Sequence, residues 1–168
     1  VLSIATLTGV IELIGALFLS TRFIPQFGVA KGIWFSVFHS VSAFCNAGFD
    51  LLGDGRFLSL IDYVNDPVVS LTICALIILG GLGFTVIKDV NSKRSWKKLN
   101  LHSKVVLAST AILLVIGIVG FFAMEYGNPN TLGALAWPGK ILASIFQGVT
   151  PRTAGFATVD YGKVEPET

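Results

Sequence analysis

The sequence predicts an all-α integral membrane protein, made of span–pore helix–filter loop–span repeats of potassium-channel-like architecture. Three observations predict it. Apolar residues form 53% of the 168-residue chain and charged ones 13%, against roughly 25% charged in soluble domains. Three runs, at 1–20, 68–87 and 105–124, are apolar and long enough to cross a bilayer, which takes about 20 residues. Finally, Ala47-Gly48-Phe49 recurs 107 residues later as Ala154-Gly155-Phe156, each time between long hydrophobic runs.

Between these runs lie two shorter apolar stretches, 32–45 and 135–150. As helices they reach only about 20–24 Å, too short to cross comfortably, so they are read as re-entrant or buried pore helices. Residues 1–88 then form one repeat, with span 1–20, pore helix 32–45, filter 46–50 and span 68–87. Residues 89–104 form a basic connecting loop. Residues 105–168 form an incomplete second copy, with span 105–124, pore helix 135–150 and filter 153–157. The first span is taken as a true span and not a cleaved leader, lacking a basic flank and a small-residue cleavage site. Cys45 and Cys74 are too few for a disulfide framework and are read as small buried residues.

Orientation follows from the basic residues. Lys88, Lys93, Arg94, Lys97, Lys98 and Lys104 are six of the twelve lysines and arginines, so the positive-inside rule places this loop in the cytoplasm. Both glycine loops then face outward. After the first of them, Asp50, Asp54, Asp62 and Asp66 outnumber Arg56. An acidic outer surface raises local cation concentration; the alternative is a solvated turn region.

A dehydrated cation needs oxygen ligands on all sides, and rings of main-chain carbonyls supply them. Aligning successive carbonyls takes dihedrals that glycine adopts at little steric cost. Irregular backbone at membrane depth persists only where it is buried or lines water. The C-terminal ends of the pore helices add partial negative charge. Gly80, Gly81 and Gly83 are read differently, as close-packing positions or a bend within a helix.

These segments resemble a known family. Phe38-His-Ser-Val-Ser-Ala-Phe-Cys-Asn-Ala-Gly-Phe-Asp50 is similar to the second pore loop of the Trk/Ktr/HKT superfamily of potassium transporters. Phe146-Gln-Gly-Val-Thr-Pro-Arg-Thr-Ala-Gly-Phe156 is similar to the third, in the version of the Ktr membrane subunit. The resemblance implies four such repeats around one pore, so that this chain is a piece of a longer polypeptide holding repeat two and most of repeat three. It implies that Asn46, Ala47, Gly48 and Phe49, with Thr153, Ala154, Gly155 and Phe156, are two of four K⁺ filter strands. It implies potassium uptake across the plasma membrane of a bacterium, with a sodium-conducting or weakly selective relative as the alternative. It also implies a homodimer of the full-length subunit on a cytoplasmic ring of nucleotide-binding regulatory subunits. Anionic lipid is the competing partner for the 88–104 loop.

Other polar residues support the pore. Glu12, inside the first span, is read as hydrogen-bonded to the neighbouring pore helix or loop, the alternative being an ion ligand. Asp50 and Arg152 flank the filter loops; Arg152 is expected to point away from the ion path and tie loop carbonyls or a carboxylate. His39 is read as a packed polar residue, lacking a second metal ligand at suitable spacing. No catalytic constellation stands out, so no enzyme, no cofactor beyond the transported ion and no nucleic-acid partner is expected. A membrane structural protein is the remote alternative.

Overall fold

The computed structural model describes residues 2–52, 59–166 and 168. Among these the chain is helical, with six α-helices, short 3₁₀ turns and no strand. Asp54 and Arg56 lie outside the described residues.

α1 (Leu2–Phe27) is 26 residues long, or about 39 Å, and does not stop at residue 20 as expected. Ser20 and Thr21 continue it by donating their hydroxyls to Leu17 and Phe18 carbonyls three residues back. Pro25 follows inside the last turn. Gly28, at φ +81, then reverses the chain, and α2 (Val29–Phe44) packs back along α1. The crossing is backbone on backbone, because a β-carbon built at Gly32 would sit 2.6 Å from Ile24 Cα. α2 therefore starts three residues before the expected 32.

α3 (Pro67–Leu82) opens on a strong cap. Asp66 accepts from Val68 and Val69 N–H, Pro67 occupies the first turn, where its missing N–H costs nothing, and Asp66 also pairs with Arg22 at 3.2 Å. The expected span over 68–87 is not one continuous helix, and the bend that the sequence leaves open for Gly80, Gly81 and Gly83 occurs within it. The chain bends by 97° between α3 and α4 (Phe84–Lys93), because Gly83 adopts φ +83. Beyond the bend α4 is amphipathic, with Val86 buried and Lys88 exposed.

The 88–104 segment is also more ordered than a loop. It holds the end of α4, a 3₁₀ turn at Trp96–Lys98 and the start of α5 (Leu101–Glu125). Asp89 fastens these pieces: it accepts from Asn100 N–H at 2.9 Å and pairs with Lys93 at 2.8 Å. The Lys93 ammonium, then the Asn100 amide and the Ser103 hydroxyl, hold its carboxyl at about 2. A depressed folded-state pKa contributes stability above the unfolded value of about 3.9, lost as pH falls towards 2. Amide exchange over 99–103 is therefore expected to stay slow at pH 5 and to accelerate below about pH 3. Asp89→Asn is expected to show the faster exchange already at neutral pH.

α6 (Trp137–Val149) returns along α5 as α2 does along α1, and starts two residues after the expected 135 because a 3₁₀ turn (Leu132–Ala134) precedes it. Gly148 meets Ile118 so closely that a β-carbon there would lie 2.6 Å from the Ile118 amide nitrogen. One core joins α1, α2, α3, α6 and the second glycine loop through Leu19, Phe23, Phe44, Ile73, Phe146 and Phe156. The two hairpins are thus one packed unit.

Candidate functional site

Each glycine loop follows the C-terminal end of a short helix, and the two loops share a backbone pattern. In the first, Asn46 (φ +52) and Gly48 (φ +70) flank Ala47; in the second, Thr153 (φ +67) and Gly155 (φ +77) flank Ala154. The central alanine amide is anchored alike in both. Ala47 N–H donates to Ser42 O at 2.9 Å, and Ala154 N–H donates to Thr150 O at 3.0 Å. Left-handed dihedrals on both sides of an anchored alanine are costly for asparagine and threonine, and here they occur twice at matching positions.

The loops also meet. A β-carbon at Gly48 would overlap the Ala154 carbonyl oxygen and lie 2.8 Å from Gly155 Cα; one at Gly155 would lie 3.2 Å from Gly48 Cα. Two segments 107 residues apart therefore touch through main chain, at the ends of the short helices α2 and α6. The phenylalanines behave differently from the other six residues. The Ser42 hydroxyl donates to Phe49 O at 2.8 Å, and the Thr150 hydroxyl donates to Phe156 O. Both phenylalanine carbonyls are thus engaged by their own pore helices. Their rings differ: Phe156 is fully buried, Phe49 is 70% exposed. Ser42 and Thr150 were not picked out from sequence, where hydroxyls in apolar helices are too common to signal a role.

The supporting residues need correction. Glu12 contributes to the α1–α2 contact only through its main chain, whose carbonyl accepts from Ser40 Oγ at 2.6 Å; among the described residues its carboxylate forms no hydrogen bond. Among the described residues the Arg152 side chain ties neither a carbonyl nor a carboxylate. Its guanidinium lies beside Gly81 of α3, close to the Asn46 amide, and its Nη1 is buried without a partner, as is Asn46 Oδ1. Asp50 closes a local turn by accepting from Leu52 N–H at 3.2 Å. Cys45 is exposed, not buried, since it caps α2 at the loop; Cys74 is buried in the core.

Glu125 emerges only from the fold, and His39, read as a packed polar residue, gains a partner there. Glu125, fully buried at the end of α5, accepts from Asn128, Thr131, Glu165 N–H and Thr168, which pins the segment after the second loop to the spanning helix. His39 bridges α2 to the segment after the first loop, as Leu51 N–H donates to its Nε2 at 3.3 Å. Leu60 N–H donates to Ala157 O at 2.9 Å, joining the segments that follow the two glycine loops.

The model of a cation transport protein family, TrkH, matches residues 2–168. The chain belongs to the TrkH family. Among its TrkH-type relatives, the Ktr system potassium uptake protein B of Bacillus subtilis is 49% identical over 158 residues, 94% of this chain and 35% of that protein. The protein of the same name in Vibrio alginolyticus is 48% identical over 161 residues, covering 94% and 34%. The potassium/sodium uptake protein NtpJ of Enterococcus hirae is 51% identical over 152 residues, covering 90% and 33%. The chain thus spans about a third of the length of these relatives. Family and apolar helices together make it an integral membrane protein.

Proposed function

We propose that the protein containing this chain takes up potassium across the bacterial plasma membrane, and that the two glycine loops are two of the four strands of its filter. The observation that carries the proposal is the doubled backbone pattern: matching left-handed dihedrals around Ala47 and Ala154, in loops that touch at Gly48 and Gly155. The carbonyls of Asn46–Gly48 and Thr153–Gly155 supply the ion ligands, as carbonyl rings do in potassium filters. Those of Phe49 and Phe156 serve the scaffold. The chain's part is passive binding and orientation of an ion, not covalent chemistry.

The contrast between the two phenylalanines supports a ring with further members. Phe156 packs against His39 of the preceding pore helix, with ring centroids 6.4 Å apart. Phe49 awaits the same contact from the repeat before it. The exposed α2 face carrying Ile33, Trp34, Val37 and Val41 belongs to that junction. Repeats two and three, with boundaries near residues 88 and 105, are the corresponding assignment.

Similarity to a protein named for both potassium and sodium uptake favours a second reading, in which sodium also permeates. Uptake of potassium and sodium by the full-length protein, each measured against the other as competitor, separates the two. Potassium uptake unaffected by excess sodium supports the first reading.

A homodimer resting on cytoplasmic nucleotide-binding subunits follows from the Ktr resemblance, and the exposed Lys88, Arg94, Lys97 and Lys98 suit that side. Orientation is tested by labelling intact cells with an impermeant thiol reagent in a Cys45→Ser, Cys74→Ser background. Tyr161→Cys and Asp54→Cys are expected to react and Ser95→Cys to be spared. Labelling at 95 from outside would reverse the orientation and the filter direction with it.

A further inference from the structure

We infer that His39 is a positioning residue for ion selection, holding both glycine loops from behind through one neutral imidazole. The inference rests on the filter reading above.

His39 is fully buried in the middle of α2. Its Nδ1 lies 2.7 Å from Phe35 O, and its Nε2 lies 3.3 Å from Leu51 N. A main-chain N–H is always the donor, so Nε2 accepts, and Nδ1 therefore carries the proton and donates to Phe35 O. The imidazole is neutral and both its nitrogens are used. Leu51 is three residues after Gly48, so this bond fixes where the first loop leaves the pore helix.

The ring makes a second connection. Its centroid lies 6.4 Å from that of Phe156 in the second loop, and Phe23, Phe35 and Phe38 surround it at 5.5, 6.1 and 5.7 Å. Phe156 follows Gly155 directly, and its carbonyl is held by Thr150. One side chain thus touches the residue after the second glycine and the strand after the first. A shift of His39 moves both loops together, which is what a change in ion selection requires.

Most buried histidines only pack, and a packing role makes a different prediction. Glutamine places an oxygen near the position of Nε2, so His39→Gln keeps an acceptor for Leu51 N–H. Asparagine is one methylene shorter: His39→Asn can still reach Phe35 O but leaves the Leu51 N–H without a partner. Both variants are polar, and both lose the ring.

The test measures potassium uptake by the full-length protein, with sodium as competitor, for wild type, His39→Gln, His39→Asn and Gly48→Ser at matched membrane abundance. An orphaned buried N–H is expected to raise the KM for potassium and lower potassium/sodium discrimination by roughly tenfold in His39→Asn. Maximal uptake is expected to change less, and His39→Gln is expected to recover the part of the discrimination that depends on the Leu51 bond, while the part that depends on the ring against Phe156 stays lost in both variants. Equal discrimination in His39→Asn and wild type, with Gly48→Ser impaired, overturns the inference and leaves the filter reading standing. Discrimination unchanged in all three variants overturns both. If His39→Asn fails to reach the membrane, His39→Gln is compared with His39→Ala at matched abundance: discrimination kept better in His39→Gln than in His39→Ala supports the inference, and discrimination equally poor in both overturns it.

Discussion

Gly48→Ser in the full-length protein is expected to cut potassium uptake, or potassium/sodium discrimination, by tenfold or more while membrane insertion is retained. A residue with a β-carbon at φ +70 carries a left-handed penalty of about 1–2 kcal/mol. The new β-carbon also overlaps the Ala154 carbonyl oxygen and crowds Gly155 Cα. These neighbours are main chain, so no rotamer change relieves the clash and the two loops must separate. Each 1.4 kcal/mol is about tenfold. Gly155→Ser is expected to do less, because its β-carbon meets only Gly48 Cα, at 3.2 Å. That order, Gly48 worse than Gly155, is specific to this geometry. Gly120→Ala is the proper control, having nothing within 4 Å of the added atom. Gly81→Ala is a poorer control, because its β-carbon would meet Arg152 Nη2 at 3.3 Å and the arginine must shift by a few tenths of an ångström to admit it. Unchanged flux and discrimination in both serine variants would make the repeated loops a packing device.

Gly80→Ala is expected to be the most destabilising Gly→Ala change among the described glycines. The carbonyl of Phe44, the last residue of α2, lies directly on Gly80, where a β-carbon would overlap its oxygen and sit 2.9 Å from its carbon. Overpacking a tight contact costs about 1–3 kcal/mol and more where backbone must move. Here the end of the pore helix moves, and the loop from 45 to 50 moves with it. The expected result is a marked loss of folded protein in the membrane and a lower Tm in detergent, against wild-type behaviour for Gly120→Ala. A Tm within a degree of wild type would show that α2 and α3 do not meet at Gly80.

Much of this was legible in the sequence, for identifiable reasons. Apolar length marks α1 and α5, of 26 and 25 residues, as longer than α2 and α6, of 16 and 13, without tertiary information, but it misses that α3 ends after 16 residues at Gly83. The repeated Ala-Gly-Phe gave the two loops, since left-handed backbone at matching positions favours glycine in both. Other features depend on contacts distant in sequence. Nothing in Gly-Gly-Leu-Gly-Phe says that Gly80 is for contact, Gly81 for a guanidinium and Gly83 for the 97° bend. Glu125 finds partners 40 and 43 residues away, and a lone glutamate at the end of an apolar run reads equally well as a solvated terminus. His39 resembles any packed histidine until Leu51 and Phe156 are placed against it. Arg152 was expected to find an acceptor because buried guanidinium groups usually do; the hydrogen-bonding capacity of Asn46 and Arg152 faces each other's neighbourhood without pairing.

The account's central claim is that carbonyls from both loops bind the same cation. Thallium, a potassium substitute with a strong anomalous signal, tests it most directly in crystals of the full-length protein. The account predicts an anomalous peak bounded by main-chain oxygens of Asn46–Gly48 on one side and of Thr153–Gly155 on another, lost when excess potassium replaces thallium. Thallium peaks bounded by other residues, with none between the two loops in a protein that still transports thallium, would contradict it.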